Sequence, residues 1–342
     1  MAPRILRPGL ILAGVVMTLA VLAMLGGCDG SDDLDSMLYH VTDLGTLGGD
    51  YSGAMAINDL GHVVGGSALA GGDTDHAFLY TDGHMRDIGT LPGAGNSMAH
   101  DINNNGVICG AADVGEVNQR AFRYFNGQMQ DIGTVAPWIT ADAEGVNDAG
   151  QIVGNSGGAA FLWENGQMRT LPTPGGPGIA NAINRHGMVA GSFEDNVTSH
   201  THAFRGSLTA AIDLGTLGAT YSTANDINDD GDCVGFYGDL IETRAFIYRD
   251  GTMQVLGTLG GSQGDAWAIN NRGVVVGSSR TATRDRHAFV WNGTMHDLND
   301  LLDAASQGWT LTHATDINEG NVIVGDGFNP DGQWRAFIAR PI

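Results

Sequence analysis

The chain has 342 residues and a formal net charge of −22 at pH 7, from 38 acidic and 16 basic residues. Every basic residue is Arg, which excludes Schiff-base and lysine-nucleophile chemistry. The strong negative charge argues against nucleic acid and anionic polymers as partners.

The N-terminus has the pattern of an export signal. Arg4 and Arg7 precede an apolar stretch, and the small residues Gly26 and Gly27 lie before Cys28. A basic region, a short apolar region and small residues at the cut are typical of a secretory signal peptide. The Leu-Gly-Gly-Cys string resembles a bacterial lipobox, in which the cysteine is lipidated and becomes the first mature residue.

We therefore predict a lipoprotein signal peptide over residues 1–27 and an anchor in the lipid bilayer through Cys28. Residues 28–37 are acidic and polar and are interpreted as a tether. The protein is expected to be exported and to face the periplasm or the cell exterior. Asp29 resembles an inner-membrane retention signal of enteric bacteria, but the choice of membrane stays open.

From residue 38 onward the chain is built on a repeated phrase of Ile or Val, Asn, two variable residues, usually Gly, and a β-branched run that ends in Gly. Successive copies begin 37 (Val146 to Ile183) to 48 (Ile269 to Ile317) residues apart. That spacing fits one four-stranded propeller blade. The copies begin at Ile57, Ile102, Val146, Ile183, Ile227, Ile269 and Ile317.

Each copy predicts two hairpins. In the first, Asn opens a turn by bonding the backbone two residues on, and Gly closes it at a position that needs positive φ. Asn321 takes the place of this Gly in the last copy, which fits because Asn tolerates the left-handed conformation. The second hairpin begins with a His/Arg-Ala-Phe triplet and turns at Asp-Gly or Asn-Gly in five copies.

The two ends of the chain predict a closed ring. The last copy stops after its third strand, while residues 38–47 form a strand-like segment with no copy before it. If this segment pairs with residues 335–339, no sheet edge is left open. The predicted fold is an all-β, seven-bladed propeller of four-stranded antiparallel blades over residues 38–342, with the N-terminal strand in the last blade.

These residues also resemble a known family. The recurring His-Ala-Phe triplet, the Asp-Leu-Gly-Thr-Leu-Gly-Gly string from Asp43, and the segment from Leu298 to Ile317 are similar to bacterial extracellular HAF-repeat proteins. The resemblance covers residues 38–342 and implies export and a repeat architecture, without an established activity. The third copy departs from the pattern at Ala159 and Thr170, so a short or irregular third blade is expected.

The first candidate constellation pairs the His or Arg before Ala-Phe with an Asp in the following strand. A pair that recurs in most copies is better explained as a structural tie than as a catalytic centre. The predicted ties are His76 with Asp87, Arg120 with Asp131, His202 with Asp213, His287 with Asp297, and Arg335 with Asp43 across the seam.

The second candidate is a calcium loop in the fifth copy. Asp226, Asn228 and Asp230 have the spacing of the first three oxygen donors, with Gly231 at the sixth position. The closing acid is missing, because Tyr237 stands at the twelfth position, and the segment is also a copy of the repeated turn. We therefore predict no metal and no cofactor, with calcium at these three residues as the alternative.

Cys109 and Cys233 fall in copies on opposite sides of the predicted ring and are expected to be buried free thiols rather than a disulfide.

The remaining residues leave the function open between two classes. No serine triad, zinc spacing or phosphate loop is present. We predict an envelope-anchored binding or interaction platform for a protein or glycan partner. The alternative is an enzyme acting on envelope polysaccharide, with acids and tryptophans such as Trp267 at the channel mouth.

Overall fold

The computed structural model describes residues 37–342 except 116, 117, 138 and 240. This part contains 28 β-strands, two short 3-10 helices (Leu298–Leu301 and Ala304–Ser306) and no α-helix. The predicted all-β class is confirmed. The predicted signal peptide, Cys28 and the tether up to residue 36 lie outside the described residues, as does Trp138.

Strand β1 (Tyr39–Asp43) is followed by successive sets of four antiparallel strands. The first set is β2 (Gly48–Ile57), β3 (Val63–Leu69), β4 (Asp75–Thr81) and β5 (His84–Gly89). The second is β6 (Ala94–Ile102), β7 (Ile108–Val114), β8 (Asn118–Phe125) and β9 (Gln128–Asp131). The third is β10 (Asp142–Val146), β11 (Ile152–Ser156), β12 (Ala159–Glu164) and β13 (Gln167–Thr170).

The next two sets are joined into one eight-stranded sheet by a single parallel bridge between Thr201 and Tyr221. They are β14 (Gly178–Ile183), β15 (Val189–Glu194), β16 (Thr201–Gly206) and β17 (Ala211–Gly215), then β18 (Tyr221–Ile227), β19 (Cys233–Gly238), β20 (Thr243–Arg249) and β21 (Thr252–Gly257). The sixth set is β22 (Gly260–Ile269), β23 (Val275–Thr281), β24 (Arg286–Trp291) and β25 (Met295–Asp297).

The last sheet joins the two ends of the chain. It contains β26 (Thr310–Ile317), β27 (Ile323–Phe328) and β28 (Trp334–Pro341), and β1 completes it by pairing antiparallel with β28. The register places Tyr39 opposite Pro341 and Asp43 opposite Phe337. The first strand pairs with the last, as the ends of the sequence predict, but it lies opposite residues 337–341 rather than 335–339 and is shorter than residues 38–47.

The core explains the Ala-Phe part of the repeated triplet. All seven phenylalanines of the triplets are fully buried, and each lies in an apolar cluster. Burying one such side chain stabilises the fold by about 1.5–3 kcal/mol. One cluster packs Phe78 of the first sheet against Ala336 and Ile338 of the last. The seven phenylalanines are Phe78, Phe122, Phe161, Phe204, Phe246, Phe289 and Phe337.

Two glycine positions of the phrase have separate physical reasons. Gly61, at the turn, has φ of 77°, and Asn321 in the last copy has 57°, as the turn chemistry predicts. Gly65, at the end of the phrase, has ordinary φ, but a Cβ there would lie 2.1 Å from the carbonyl oxygen of Gly53 on the neighbouring strand. Only a residue without a side chain fits this close approach.

Candidate functional site

A closed ring of hydrogen bonds links the asparagines of the seven phrases. Each side-chain amide donates to the backbone carbonyl of the next asparagine, over 2.7–3.4 Å, and Asn318 donates back to Asn58 at 3.1 Å. The side-chain oxygen of Asn58 also accepts from the amides of Leu60 and His62 within its own turn. The ring is Asn58, Asn103, Asn147, Asn184, Asn228, Asn270 and Asn318.

A pocket of about 220 Å³ lies against this ring, and we call it the axial pocket. All seven phrases line it with their Ile or Val, their Asn and the residue that follows. The following residues form its rim and include four carboxylates and one arginine. The rim residues are Asp59, Asn104, Asp148, Arg185, Asp229, Asn271 and Glu319.

Rim side chains are held by backbone amides of their neighbours. The amide of Asp59 donates to the side chain of Asn104 at 2.9 Å, and Asn104 donates in the same way to Asp148 at 2.8 Å. The same bond, from a backbone amide to the next side chain, joins Arg185 to Asp229. It is repeated from Asp229 to Asn271, from Asn271 to Glu319 and from Glu319 to Asp59. Arginine has no acceptor atom, so the step from Asp148 to Arg185 has no such bond. Backbone amides therefore hold the rim side chains other than Arg185, whose side chain is 66% exposed and lies 3.4 Å from Asp229 through its Nε atom.

Three partly buried aspartates support the wall beside the asparagine ring. Asp101, Asp226 and Asp316 each precede the Ile of a phrase and accept a hydrogen bond from the amide at the start of the next phrase, at 2.7–2.8 Å. Burial raises the pKa of Asp101 to about 7 and that of Asp226 to about 6, against the opposing effect of these hydrogen bonds. Burial and the neighbouring Asp226 and Asp101 carboxylates raise the pKa of Asp316 as well.

Four of the five predicted ties bring their residues together, all away from the axial pocket. The closest distances from nitrogen to carboxylate oxygen are 2.9 Å in three pairs and 2.6 Å in the fourth. The aspartates of the first three pairs are about 40% exposed. These pairs are His76 with Asp87, Arg120 with Asp131, His202 with Asp213, and His287 with Asp297.

The structure does not bring the fifth pair together. Arg335 donates to the backbone carbonyls of Asp50 at 2.5 Å and Trp334 at 2.9 Å. Asp43 instead accepts from the side chain of Asn329 at 3.0 Å and from the amide of Gly45 at 2.8 Å. In the last sheet the acid, Asp43, comes from β1 rather than from the strand that follows in the same hairpin. Asn329, in the loop before β28, donates a hydrogen bond to it instead.

The predicted calcium donors also take separate partners. Both carboxylate oxygens of Asp226 accept backbone amides, from Ile227 and Ile269. Asn228 belongs to the asparagine ring, and Asp230 is exposed. The segment is therefore used as a turn, and its oxygens do not converge on one point.

A cluster that sequence reasoning missed lies between β6 and β10. The Nδ1 atom of His100 is 3.2 Å from Asp142 Oδ1 and 3.3 Å from Glu144 Oε2. Burial lowers the pKa of His100, but the two carboxylates outweigh it and raise that pKa to about 10. His100 and Glu144 both stand two residues before the Ile or Val of their phrases, and comparing these positions between copies would have pointed to the cluster.

The cysteines and tryptophans have mainly packing roles. Cys109 and Cys233 are buried free thiols, and burial raises the pKa of both. Trp309 packs edge-on against Phe337 in the core. Trp267 is 37% exposed and contacts Phe236 edge-on at 6.2 Å between ring centroids.

Comparison with known proteins supports the propeller fold but does not identify an activity. A family model described as "Protein of unknown function (DUF3466)" matches residues 211–333, about a third of the chain. No significant match was found among curated proteins. The resemblance to HAF-repeat proteins stays a prediction.

Several solved structures are similar in fold. A puromycin-hydrolyzing peptidase of Mycobacterium tuberculosis aligns with a TM-score of 0.56 and 12% identity over 87% of this chain, which spans only 54% of the peptidase. The β-propeller domain of the Trilobed protease from Pyrococcus furiosus, described as having an open velcro topology, gives 0.52 and 12%, covering 72% of this chain and 83% of that one. An oligogalacturonate lyase from Vibrio parahaemolyticus gives 0.53 and 11%, covering 89% and 91%. At these identities the likeness concerns the fold alone.

Among the described residues, no helix is long and apolar enough to span a bilayer.

Proposed function

We propose that this chain is an exported bacterial lipoprotein, anchored through Cys28, that presents residues 38–342 as a seven-bladed β-propeller for binding a partner. Twenty-eight strands in sets of four, with β1 completing the last set, support seven blades in a closed ring. The seven-membered asparagine ring supports the same count. Cys28 lies outside the described residues, so the anchor rests on the sequence.

The axial pocket is the observation that favours binding over catalysis. Its lining contains only Ile, Val, Asn, Asp, Glu and Arg, without a serine, cysteine or histidine nucleophile or base. The rim carboxylates Asp59, Asp148, Asp229 and Glu319 each accept a backbone amide. A glycosidase-type mechanism needs one acid free to donate a proton and another free to act as nucleophile or base. A fixed polar rim instead suits recognition of a polar neutral or cationic group.

Site-specific photo-crosslinking in living cells tests the binding role. A photoreactive amino acid replaces Arg185 at the rim, and a control chain carries it at Ile212, which is 45% exposed on β17. We expect a discrete adduct from position 185 and none from position 212. Equal adducts from both positions, or none from either, would contradict a partner at the axial pocket.

Metabolic labelling with palmitate tests the anchor separately. The wild type is expected to incorporate the label and to sediment with membranes, whereas Cys28→Ala is expected to do neither. Equal labelling of the two chains would refute lipidation at Cys28 and leave the crosslinking result unaffected.

A further inference from the structure

His100, Asp142 and Glu144 form a compact set of potential metal ligands within the described residues. Their ligand atoms all lie within 4.8 Å of one another. The His100 and Asp142 side chains are 15% and 17% exposed, and that of Glu144 is 30% exposed, so the set is largely buried but reachable from solvent. Strands β6 and β10 supply the residues, and each strand is held by its own sheet.

A structural tie accounts for only one of the contacts of His100. Its Nδ1 atom lies 3.1 Å from the backbone carbonyl of Ala143. At the corresponding position of other copies, Asn181, Asn225 and Thr315 donate to the equivalent carbonyl at 2.8, 2.8 and 3.0 Å. An amide or a hydroxyl is therefore sufficient to link neighbouring strands, and the tie does not require imidazole or the two acids.

The hydrogen bonds at the cluster are incomplete. One nitrogen, which carries at most one proton, faces three oxygens, those of Ala143, Asp142 and Glu144. The Oδ1 atom of Asp142 is buried and accepts no hydrogen bond. Protonated His100 supplies one positive charge against two carboxylates, whereas a divalent ion bound in place of the Nδ1 proton would balance both charges.

The spacing of the ligand atoms suits a transition metal. With metal–nitrogen and metal–oxygen distances of about 2.0–2.2 Å, neighbouring ligands in tetrahedral or octahedral geometry lie about 2.8–3.6 Å apart. The observed separations of 3.2 and 3.3 Å fall within that range. An imidazole nitrogen with two carboxylates suits Zn²⁺ or Mn²⁺, whereas Ca²⁺ and Mg²⁺ prefer oxygen ligands alone.

We propose that His100 Nδ1, Asp142 and Glu144 bind one divalent transition ion, Zn²⁺ or Mn²⁺, and leave coordination positions for water or a small ligand. Three protein ligands with an open position is the arrangement of a reactive metal site rather than of a closed structural one. The proposal does not depend on a partner at the axial pocket.

Isothermal titration calorimetry tests the site directly. The full chain is purified, treated with EDTA, dialysed and titrated with Zn²⁺ and with Mn²⁺. We expect one ion per chain for the wild type, and binding at least about 100-fold weaker in His100→Asn and in Glu144→Gln, since loss of even an outer-shell partner weakens metal affinity by about 10–100-fold. In His100→Asn the new amide can still donate to Ala143, as Asn181 does to Ala224, so the fold is expected to be kept.

His313→Asn is the matched control. His313 pairs with one carboxylate, that of Asp326, at 2.7 Å, and its replacement is expected to leave metal binding unchanged. Thermal melts without metal establish that each variant is folded, and Glu144→Gln carries the test if His100→Asn is not. The proposal is overturned if the wild type binds neither ion, or if a folded His100→Asn or Glu144→Gln binds as tightly as the wild type.

Discussion

The His/Arg-Ala-Phe triplet combines residues of very different energetic weight. In the fourth copy, Nδ1 of His202 lies 2.9 Å from Asp213, whose side chain is 41% exposed, while Phe204 is fully buried. Exposed ion pairs contribute about 0–1 kcal/mol, whereas removing a buried phenylalanine costs about 3–5 kcal/mol. The triplet is thus recognisable by its histidine but stabilised by its phenylalanine.

Two substitutions in this copy check that difference. We expect His202→Ala to lower the free energy of unfolding by less than about 1 kcal/mol. Phe204→Ala is expected to lower it by about 3–5 kcal/mol because it leaves a cavity in the core. Urea denaturation measures both, and similar losses for the two variants would refute a minor role for the tie.

The partly buried aspartates beside the asparagine ring make stability depend on pH. Burial raises the pKa of Asp226 in the folded chain to about 6, above its ordinary value of 3.8. The folded state therefore holds this proton more tightly, and ionisation of Asp226 destabilises it as the pH rises from about 4 to about 6. Asparagine does not ionise, so Asp226→Asn does not lose stability in this way as the pH rises.

We expect the wild type to lose stability relative to Asp226→Asn across this pH window. Thermal melts of both chains at pH 4, 5, 6 and 7 measure the difference, which should stop changing above the folded pKa. A constant difference in melting temperature at all four pH values would mean that Asp226 does not titrate in this range.

At the scale of elements, close strand packing explains the glycine that ends each phrase. A Cβ at Gly110 of β7 would lie 2.0 Å from the carbonyl oxygen of Met98 on β6. Strand β6 changes register at this level, between Ala99 and Asp101. A Cβ at Gly110 would therefore require the backbone of β6 to move, and the hydrogen bonds of the sheet hold that backbone in place.

Gly110→Ala is therefore expected to cost several kcal/mol or prevent folding. Gly95→Ala in β6 of the same sheet is the control, because a Cβ there meets no atom within 4 Å. We expect the control to change the free energy of unfolding by no more than about 1 kcal/mol. Chemical denaturation compares them, and a harmless Gly110→Ala would show that the strands can separate.

Local chemistry was sufficient to predict the elements of the fold. Turns at Asn58 and Gly61, strands that carry Ala-Phe, and the pairing of the first strand with the last all follow from residue types and spacing. The third set, expected to be short or irregular, has strands of 4–6 residues in regular order. Side chains that cross between copies were harder to predict, because their partners lie about forty residues away.

The seam and the metal cluster illustrate this limit. Analogy with the other copies pairs Arg335 with Asp43, but Asn329 binds the acid and Arg335 donates to the carbonyl of Asp50. His100 is unremarkable within its own strand and becomes notable only when β10 places two acids beside it. Both contacts depend on how neighbouring sheets face each other, which the spacing of the repeat does not determine.

At the scale of the whole molecule, the two ends of the chain meet in one sheet. Tyr39 is fully buried and Val41 nearly so, and both belong to the core between the last two sheets. The amide of Val41 also donates to Ser306, and that of Asp303 donates to the carbonyl of Tyr39. Strand β1 is therefore integrated in the domain by pairing, packing and hydrogen bonds.

Deleting Tyr39–Asp43 tests the closed ring, on which the binding platform depends, most directly. The matched control deletes residues 31–36 of the predicted tether. Thermal unfolding followed by circular dichroism is expected to show a large fall in melting temperature, or loss of the folded state, for the first deletion and almost no change for the second. Equal melting temperatures for the wild type and the chain without β1 would contradict closure by the N-terminal strand.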